Sequence, residues 1–304
     1  MKPKLKALLT LTLAIAAPAV FAAGGGEADS DYVVLLPVDR VTVGVSMNYS
    51  YVGAGNVSLP HVSGNSDAQS IDANITAEFP LNDQWFAPIG LNSRNLLLGA
   101  VAGAPIPEQI DTLGFNAGLG YRLNSQWIFI ASAGPKFYKV DGLDGDDIGG
   151  HGMFSAIWRV EPGLTAIFGL GVEPDNEVPA LPIAGVRWDI RTNLTLNLMW
   201  PRPALIYHVN RQFDVFVAAG GEFAVFRADS GLGSQIGHPG FNNALGTYRD
   251  FELGAGAQYR IARGWKVGLD AGYSLGREID YKRLNRTVSF GDSPYVRVES
   301  SYRF

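Results

Sequence analysis

Ser293-Pro-Tyr-Val-Arg-Val-Glu-Ser-Ser-Tyr-Arg-Phe304 alternates with a period of two. Val296, Val298, Tyr302 and Phe304 share one face, and Arg297, Glu299, Ser301 and Arg303 share the other. That period is the signature of a β-strand, whose successive side chains point to opposite faces. A wall built of such strands has one apolar side and one charged side. The half-buried strand of a soluble sandwich alternates in the same way, so the rest of the chain has to decide what lies against each side.

Moving outward from this stretch, the pattern recurs along the chain. From Arg40 to Tyr51, Val41, Val43, Val45, Met47, Tyr49 and Tyr51 oppose Arg40, Thr42, Gly44, Ser46, Asn48 and Ser50. Ile71, Ala73, Ile75, Ala77 and Phe79 alternate with Asp72, Asn74, Thr76 and Glu78. Further strands are read at Leu113–Tyr121, Phe251–Ile261 and Trp265–Leu275. Brief polar turns (Leu81–Gln84, Leu123–Gln126, Arg191–Asn193, Val209–Arg211, Ala262–Gly264) alternate with long loops expected at Gly53–Ser66, Val140–Gly152, Arg227–Thr247 and Tyr281–Asp292. The alternations amount to about 14 strands if Pro201-Arg202-Pro203 separates two short ones, and to 12 if neighbouring segments merge. Trp85–Ala104 is the least regular part, because Leu96-Leu97-Leu98 interrupts the period.

Charge sorts to one side of these strands. Asp72, Glu78, Arg122, Arg159, Glu161, Arg187, Asp189, Asp214, Glu252, Arg260, Lys266, Asp270, Arg297, Glu299 and Arg303 all oppose the apolar face. A bilayer demands this sorting, since Arg or Lys on the lipid side at the midplane costs about 2–4 kcal/mol. A β-structure in hydrocarbon must also close on itself to pair every backbone group. Short turns at one end, long loops at the other, and Trp, Tyr or Phe beside the short turns (Tyr121, Trp127, Trp188, Tyr207, Phe213, Tyr259, Trp265) complete the pattern of an outer-membrane barrel. The expected fold is all-β, a transmembrane antiparallel up-and-down barrel, with Tyr302 and Phe304 as the barrel-assembly signal.

Composition agrees with export. Lys2, Lys4 and Lys6 precede an apolar run from Ala7 to Val20, and Val20 and Ala22 fit a cleavage site, so residues 1–22 read as a cleaved signal peptide. Residues 23–39 follow as a Gly-rich, acidic periplasmic tail, and residues 40–304 as one barrel domain, located in the cell outer membrane. With no Cys in the chain there is neither a disulfide framework nor a thiolate ligand or nucleophile. A formal net charge of −5 without a basic cluster lacks the footprint of nucleic-acid binding.

Tyr121-Arg-Leu-Asn-Ser-Gln-Trp127 and Leu198-Met-Trp-Pro-Arg-Pro-Ala-Leu-Ile-Tyr207 resemble segments of uncharacterised, porin-like outer-membrane barrel families of Gram-negative bacteria. The resemblance implies a fold and a location, with no substrate and no functional residue to carry over.

The interior charges Asp72, Glu78, Arg122, Arg159, Arg187, Asp189, Asp214, Glu252, Arg260, Lys266, Asp270, Arg297 and Glu299 are the candidates for lining a lumen and setting selectivity. A barrel of about 14 strands has a wider bore than an eight-stranded one, whose interior side chains fill it, so a pore or binding channel for a small solute is expected. The Gly-rich loop Arg227–Thr247, containing Phe241, is the candidate constriction or lid. The alternative is a plugged structural or surface-interaction barrel, and a third reading is a lipid or peptide hydrolase. For hydrolysis, His61, His151 and His238 fall in expected loops, His208 faces inward, and a Ser-His-acid triple can be drawn from His151, Ser155 and Glu161, as such triples can from any loop-rich chain. No catalytic residue and no cofactor is assigned. Asp141, Asp144, Asp146 and Asp147 crowd carboxylates without EF-hand spacing and are weak metal candidates, read chiefly as a solvated acidic loop. Expected partners are outer-membrane lipids and lipopolysaccharide, the barrel-assembly machinery and a small solute.

Overall fold

The structure is a computed structural model that describes residues 40–138, 147–176 and 179–304. The expected signal peptide and the whole of the expected periplasmic tail lie outside these residues. The strands are β1 (Thr42–Ser58), β2 (Asn65–Pro80), β3 (Trp85–Leu98), β4 (Gln109–Arg122), β5 (Trp127–Phe137), β6 (Ile148–Glu161), β7 (Leu164–Val172), β8 (Ala180–Arg191), β9 (Leu194–Asn197), β10 (Ala204–His208), β11 (Phe213–Arg227), β12 (Leu245–Ala262), β13 (Trp265–Ser274), β14 (Glu278–Tyr281), β15 (Arg286–Phe290) and β16 (Ser293–Arg303).

These segments make 14 staves, each antiparallel to its neighbours in chain order. β14 continues β13 along β12, since Ser274 pairs with Glu252 and Glu278 with Arg249. β15 and β16 likewise share β1, where Phe290 pairs with Val57 and Tyr295 with Val52. The sheet closes between β1 and β16, from Gly44↔Arg303 to Val52↔Tyr295. Phe304 joins this seam: Val43 N donates to its carbonyl at 2.9 Å and Phe304 N donates back to Val43 O at 3.0 Å. Closure leaves no edge at the seam, which hydrocarbon requires.

Period-two alternation sets the two faces. Along β1, Val45, Met47, Tyr49 and Tyr51 are exposed on the outside, while Ser46, Asn48 and Ser50 are buried inside. The same outward band runs through Leu253 and Tyr259 on β12, Leu269 and Tyr273 on β13, and Val296 and Val298 on β16.

The short turns share a device. In Leu81-Asn-Asp-Gln-Trp85, Leu123-Asn-Ser-Gln-Trp127 and Val209-Asn-Arg-Gln-Phe213, the Asn side-chain oxygen accepts from the backbone N–H groups two and three residues on, at 2.8–3.0 Å. Asn closes the turn with its own side chain, and the aromatic that follows starts the next strand. Aromatic rings consequently gather at this end: Trp127 stacks on Trp158 with centroids 5.4 Å apart, and Trp85 lies 4.6 Å from Tyr121.

The loop end departs from expectation in four places. β1 runs on to Ser58 and β2 starts at Asn65, so Gly53–Ser66 is mostly strand, kept in register by a bulge between Val52 and Gly55. β3 passes regularly through Leu96-Leu97-Leu98, because Leu96 and Leu98 point into an apolar interior and Leu97 outward. Ile148–Gly152 belongs to β6, which puts His151 in the wall instead of a loop. Tyr281–Asp292 contains the β14–β15 pairing and a 3-10 turn at Lys282–Leu284. In each case the interior partner, not local polarity, decides the structure.

Candidate functional site: the barrel interior

Three layers fill the interior. At the loop end, α1 (Leu232–Gln235) and a 3-10 turn at Pro239–Phe241 fold inward from the β11–β12 connection. They place Leu232 and Phe241 against Ala104 and Ile106 of the β3–β4 connection and Tyr248, Tyr281 and Phe290 of the wall. Phe241 meets Tyr281 edge-on at 5.1 Å, and the Tyr281 hydroxyl donates to Pro105 O at 2.9 Å. The barrel mouth is capped by an apolar plug.

Beneath the plug lies a belt of paired charges. Arg297 on β16 is held by Glu252 on β12 and, at 3.1 Å, by Glu222 on β11. Arg202, from the β9–β10 connection, reaches Asp270 at 2.6 Å and Glu299 at 3.4 Å. The Tyr295 hydroxyl donates to Asp270 at 2.8 Å, and Ser274 donates to Asp250 at 2.6 Å. Arg94 on β3 pairs with Asp72 on β2 and sends a second donor across the interior to Phe223 O at 3.0 Å. Glu252, Asp270 and Arg297 are only 1%, 2% and 4% exposed, so the belt's charges are withdrawn from solvent together. Opposite charges desolvated together are tolerable only as pairs, because removing one partner strands a buried charge.

Toward the turn end the wall divides. On β3 and β5–β7 the inward residues are apolar: Phe86, Ile128, Ile130, Ile157 and Ile167 form one cluster with Met199, and Ile183 packs against it. The interior that the sequence pattern presents as uniformly polar is therefore apolar along one side. Across from it, His208 on β10 bonds through Nδ1 to Asp214 at 2.8 Å and through Nε2 to the Thr195 hydroxyl at 3.0 Å, and that hydroxyl donates to Asp189 at 2.8 Å. Carboxylate, imidazole and hydroxyl in series resemble an activated nucleophile, but the Asp189 charge beside Thr195 opposes an alkoxide there.

The expected lining residues are placed as follows. Asp72, Asp214, Glu252, Asp270, Arg297 and Glu299 are buried within the pairs just described. Glu78 lies 3.8 Å from Arg303, Arg187 lies 3.8 Å from Asp189, and Arg122 sits over the Phe86 ring at 5.2 Å. Lys266 is buried on β13, Arg159 lies near the end of β6, and Arg260 donates to Arg211 O at the turn rim. His151, Ser155 and Glu161 do not converge: they are spread along β6, with Ser155 and His151 about 13 Å apart at the strand rise. Of the acidic loop, Asp141, Asp144 and Asp146 lie outside the described residues, and Asp147 is buried 3.6 Å from Arg227. No group of three potential ligands that could hold a metal occurs among the described residues.

Outside the described strands, Tyr138 follows β5 and donates to Asp175 at 3.1 Å; burial, with Glu173 and Asp175 nearby, pushes its phenol well above the usual range.

Arg94, Arg202, Glu222, Asp250 and Arg277, the last buried and donating to Ser66 O, were not legible as interior charges. Glu222 and Asp250 did carry a signal, being in phase with Asp214 and Glu252 on their strands. Arg94 is masked by the Leu run, and Arg202 and Arg277 lie on connections where no period applies.

A family model described as a domain of unknown function, DUF6268, matches residues 85–304. No curated protein matches the chain by sequence. Among solved structures, an outer-membrane channel from Pseudomonas putida F1 aligns with a TM-score of 0.50 at 12% identity, covering 91% of this chain and 100% of that one. A deletion mutant of the TodX monoaromatic hydrocarbon channel aligns at 0.46 and 11% identity over 91% of this chain and 95% of that one. A FadL homologue from Pseudomonas aeruginosa aligns at 0.41 and 9% identity, over 92% and 96%. At such identities the likeness to the first is one of barrel fold. With 220 consecutive residues matched by one family model, the chain belongs to the DUF6268 family.

Proposed function

We propose that this protein is an outer-membrane channel for small solutes, exported through a signal peptide at residues 1–22, lying among outer-membrane lipids and lipopolysaccharide, and closed in the conformation described. The turn end faces the periplasm and the plugged end faces outward, as the asymmetry of connections favours. The observation that carries the proposal is the interior itself. A purely structural barrel has no need of a belt of buried ion pairs, each costly to desolvate and replaceable by apolar packing at little loss. Pairs of this kind hydrate when a plug moves, which makes the Arg202–Asp270–Glu299 and Arg297–Glu252–Glu222 groups suitable as a two-state constriction.

The test is single-channel conductance of the refolded mature barrel in a planar bilayer, with folding established by heat-modifiable migration. Wild type is expected to open rarely, and a variant lacking 232–241 to give reproducible steps. A folded barrel that stays silent in both forms would reject the channel in favour of a plugged structural role.

A further inference from the structure

The wall is not equally tall all round. β9 has four residues and β10 five. At about 3.3 Å per residue they rise less than about 17 Å, short of the roughly 25 Å apolar band such a barrel needs. β8 pairs with β7 up to Ala180, but its ladder with β9 stops at Arg187, with one further bond from Leu198 N to Val186 O. β11 meets β10 only as far as Ala218, and then Pro203 O and Pro201 O accept from Ala219 N and Gly221 N. Above these points, among the described residues, no strand pairs with residues 180–185 of β8 on its β9 side or with residues 222–227 of β11 on its β10 side. The level is that of the membrane, because Phe168, Leu170 and Val172, the β7 partners of Ala184, Pro182 and Ala180, are exposed on the apolar outside.

Both bare edges are tended. Even-numbered β8 residues direct their backbone groups toward β9, as Val186 does, so the missing N–H of Pro182 falls on the free edge, where proline is tolerated. Odd-numbered β11 residues direct theirs toward β10, so Phe223 O lies on the other free edge, and it is this carbonyl that Arg94 caps. The outward face is covered along the upper half of β11. Val225 and Thr247 are buried although they share the face on which Val217 and Leu253 are exposed. Above, Arg227 pairs with Asp147 at the start of β6, bridging over the tops of β7–β10. Below, Met199 and Trp200 form the sill, and Trp200 packs 5.6 Å from Phe223. Met199 and Ile183 are at the same time members of the apolar interior cluster.

We propose that this break between upper β8 and upper β11 is a side port, through which an apolar solute passes between the interior cluster around Phe86, Ile128 and Ile157 and the hydrocarbon of the membrane. The proposal rests on the channel reading and specifies its route and the class of solute. An apolar molecule that has passed the opened belt leaves sideways from the apolar cluster, without continuing along the axis past the polar group of His208, Asp214 and Asp189.

A photoactivatable alkyl diazirine confined to the bilayer of liposomes holding the folded wild-type protein tests this, with modified residues mapped by mass spectrometry. Inward-facing Ile183 and Met199 are expected to be labelled to an extent comparable with outward Leu170. Val52, equally apolar and inward but behind the unbroken β1–β2 wall, is expected to stay at background. Labelling confined to outward residues, or equal at Val52 and Ile183, would overturn the port. Conductance on the same liposomes separates the two readings. Labelled Ile183 in a silent barrel rejects the channel and keeps the opening, whereas conduction with Ile183 unlabelled does the reverse.

Discussion

Arg202, on the connection between β9 and β10, places its guanidinium 2.6 Å from the carboxylate of Asp270 on β13, three staves away. The bond ties the lowest part of the wall to the stave that flanks the seam strand β16. Replacing Arg202 with Ala takes its cationic partner from the buried Asp270 and Glu299, a loss of about 3–5 kcal/mol for a broken buried pair. The triple change Arg202→Met, Asp270→Asn and Glu299→Gln removes the charges together and is expected to recover most of that stability. Urea-dependent unfolding of the barrel in lipid vesicles checks both, and equal instability of the single and triple variants would show that the ion pairing is not what holds the belt.

The plug is predicted to open apart from the barrel. Phe241 is held edge-on by Tyr281 and belongs to a cluster that also includes Leu232 and Phe226. Truncating a packed Phe to Ala costs about 3–5 kcal/mol. Because Phe241 sits on a connection outside the ladder, the cost falls on docking of 228–244. In Phe241→Ala, amide exchange is expected to accelerate by about two orders of magnitude or more across 232–241 while β12 keeps its protection. Uniform acceleration through β12 would mean that plug and wall unfold as one unit.

The barrel was legible because two independent demands, a two-residue period and the sorting of charge to one face, act on every long strand. Even the stave number follows from Pro201-Arg202-Pro203, where two prolines cannot continue a ladder and so divide β9 from β10. The interior was less legible. Which inward charge meets which depends on the tilt and closure of the sheet, so Arg202 and Asp270, 68 positions apart, carry no mutual sign in the sequence. Nor does the period separate a polar lumen from an apolar one where Ile128, Ile157 and Ile167 point inward, because outward neighbours such as Phe129 and Phe168 are apolar as well and the alternation is lost. The His208–Thr195–Asp189 series is hidden for the same reason, being assembled from three strands.

Two glycines on adjoining strands should respond in opposite ways. A Cβ built on Gly134 of β5 meets Phe115 O of β4 at 1.7 Å, a backbone atom that cannot move without parting the two strands. A Cβ on Gly150 of β6 meets nothing nearer than Gly134 O at 3.9 Å. Gly134→Ala is therefore expected to lower the yield of heat-modifiable barrel and its urea midpoint. Gly150→Ala is expected to match or slightly exceed wild type, since it also reduces the entropy of the unfolded chain. The reverse order would show that β4 and β5 are not held at this spacing.

The outward band predicts a depth-dependent response along one strand. On β13 the outward residues run from Trp265 beside the short turn, through Leu269, to Tyr273, and Leu275 follows at the loop end. Leu269, 55% exposed and central, lies where a charge finds neither water nor a partner. Leu269→Arg is expected to cost about 2–4 kcal/mol, and Leu275→Arg, near the interface, about 0–1 kcal/mol, because a long side chain there reaches the headgroups. The measurement is reversible urea unfolding in vesicles, repeated in a bilayer with shorter acyl chains. Thinning the membrane brings the interface closer to both positions and should reduce the Leu269→Arg penalty more than the other. Equal penalties at the two positions would mean that this face of β13 does not meet hydrocarbon, and would remove the basis for placing the barrel across a membrane.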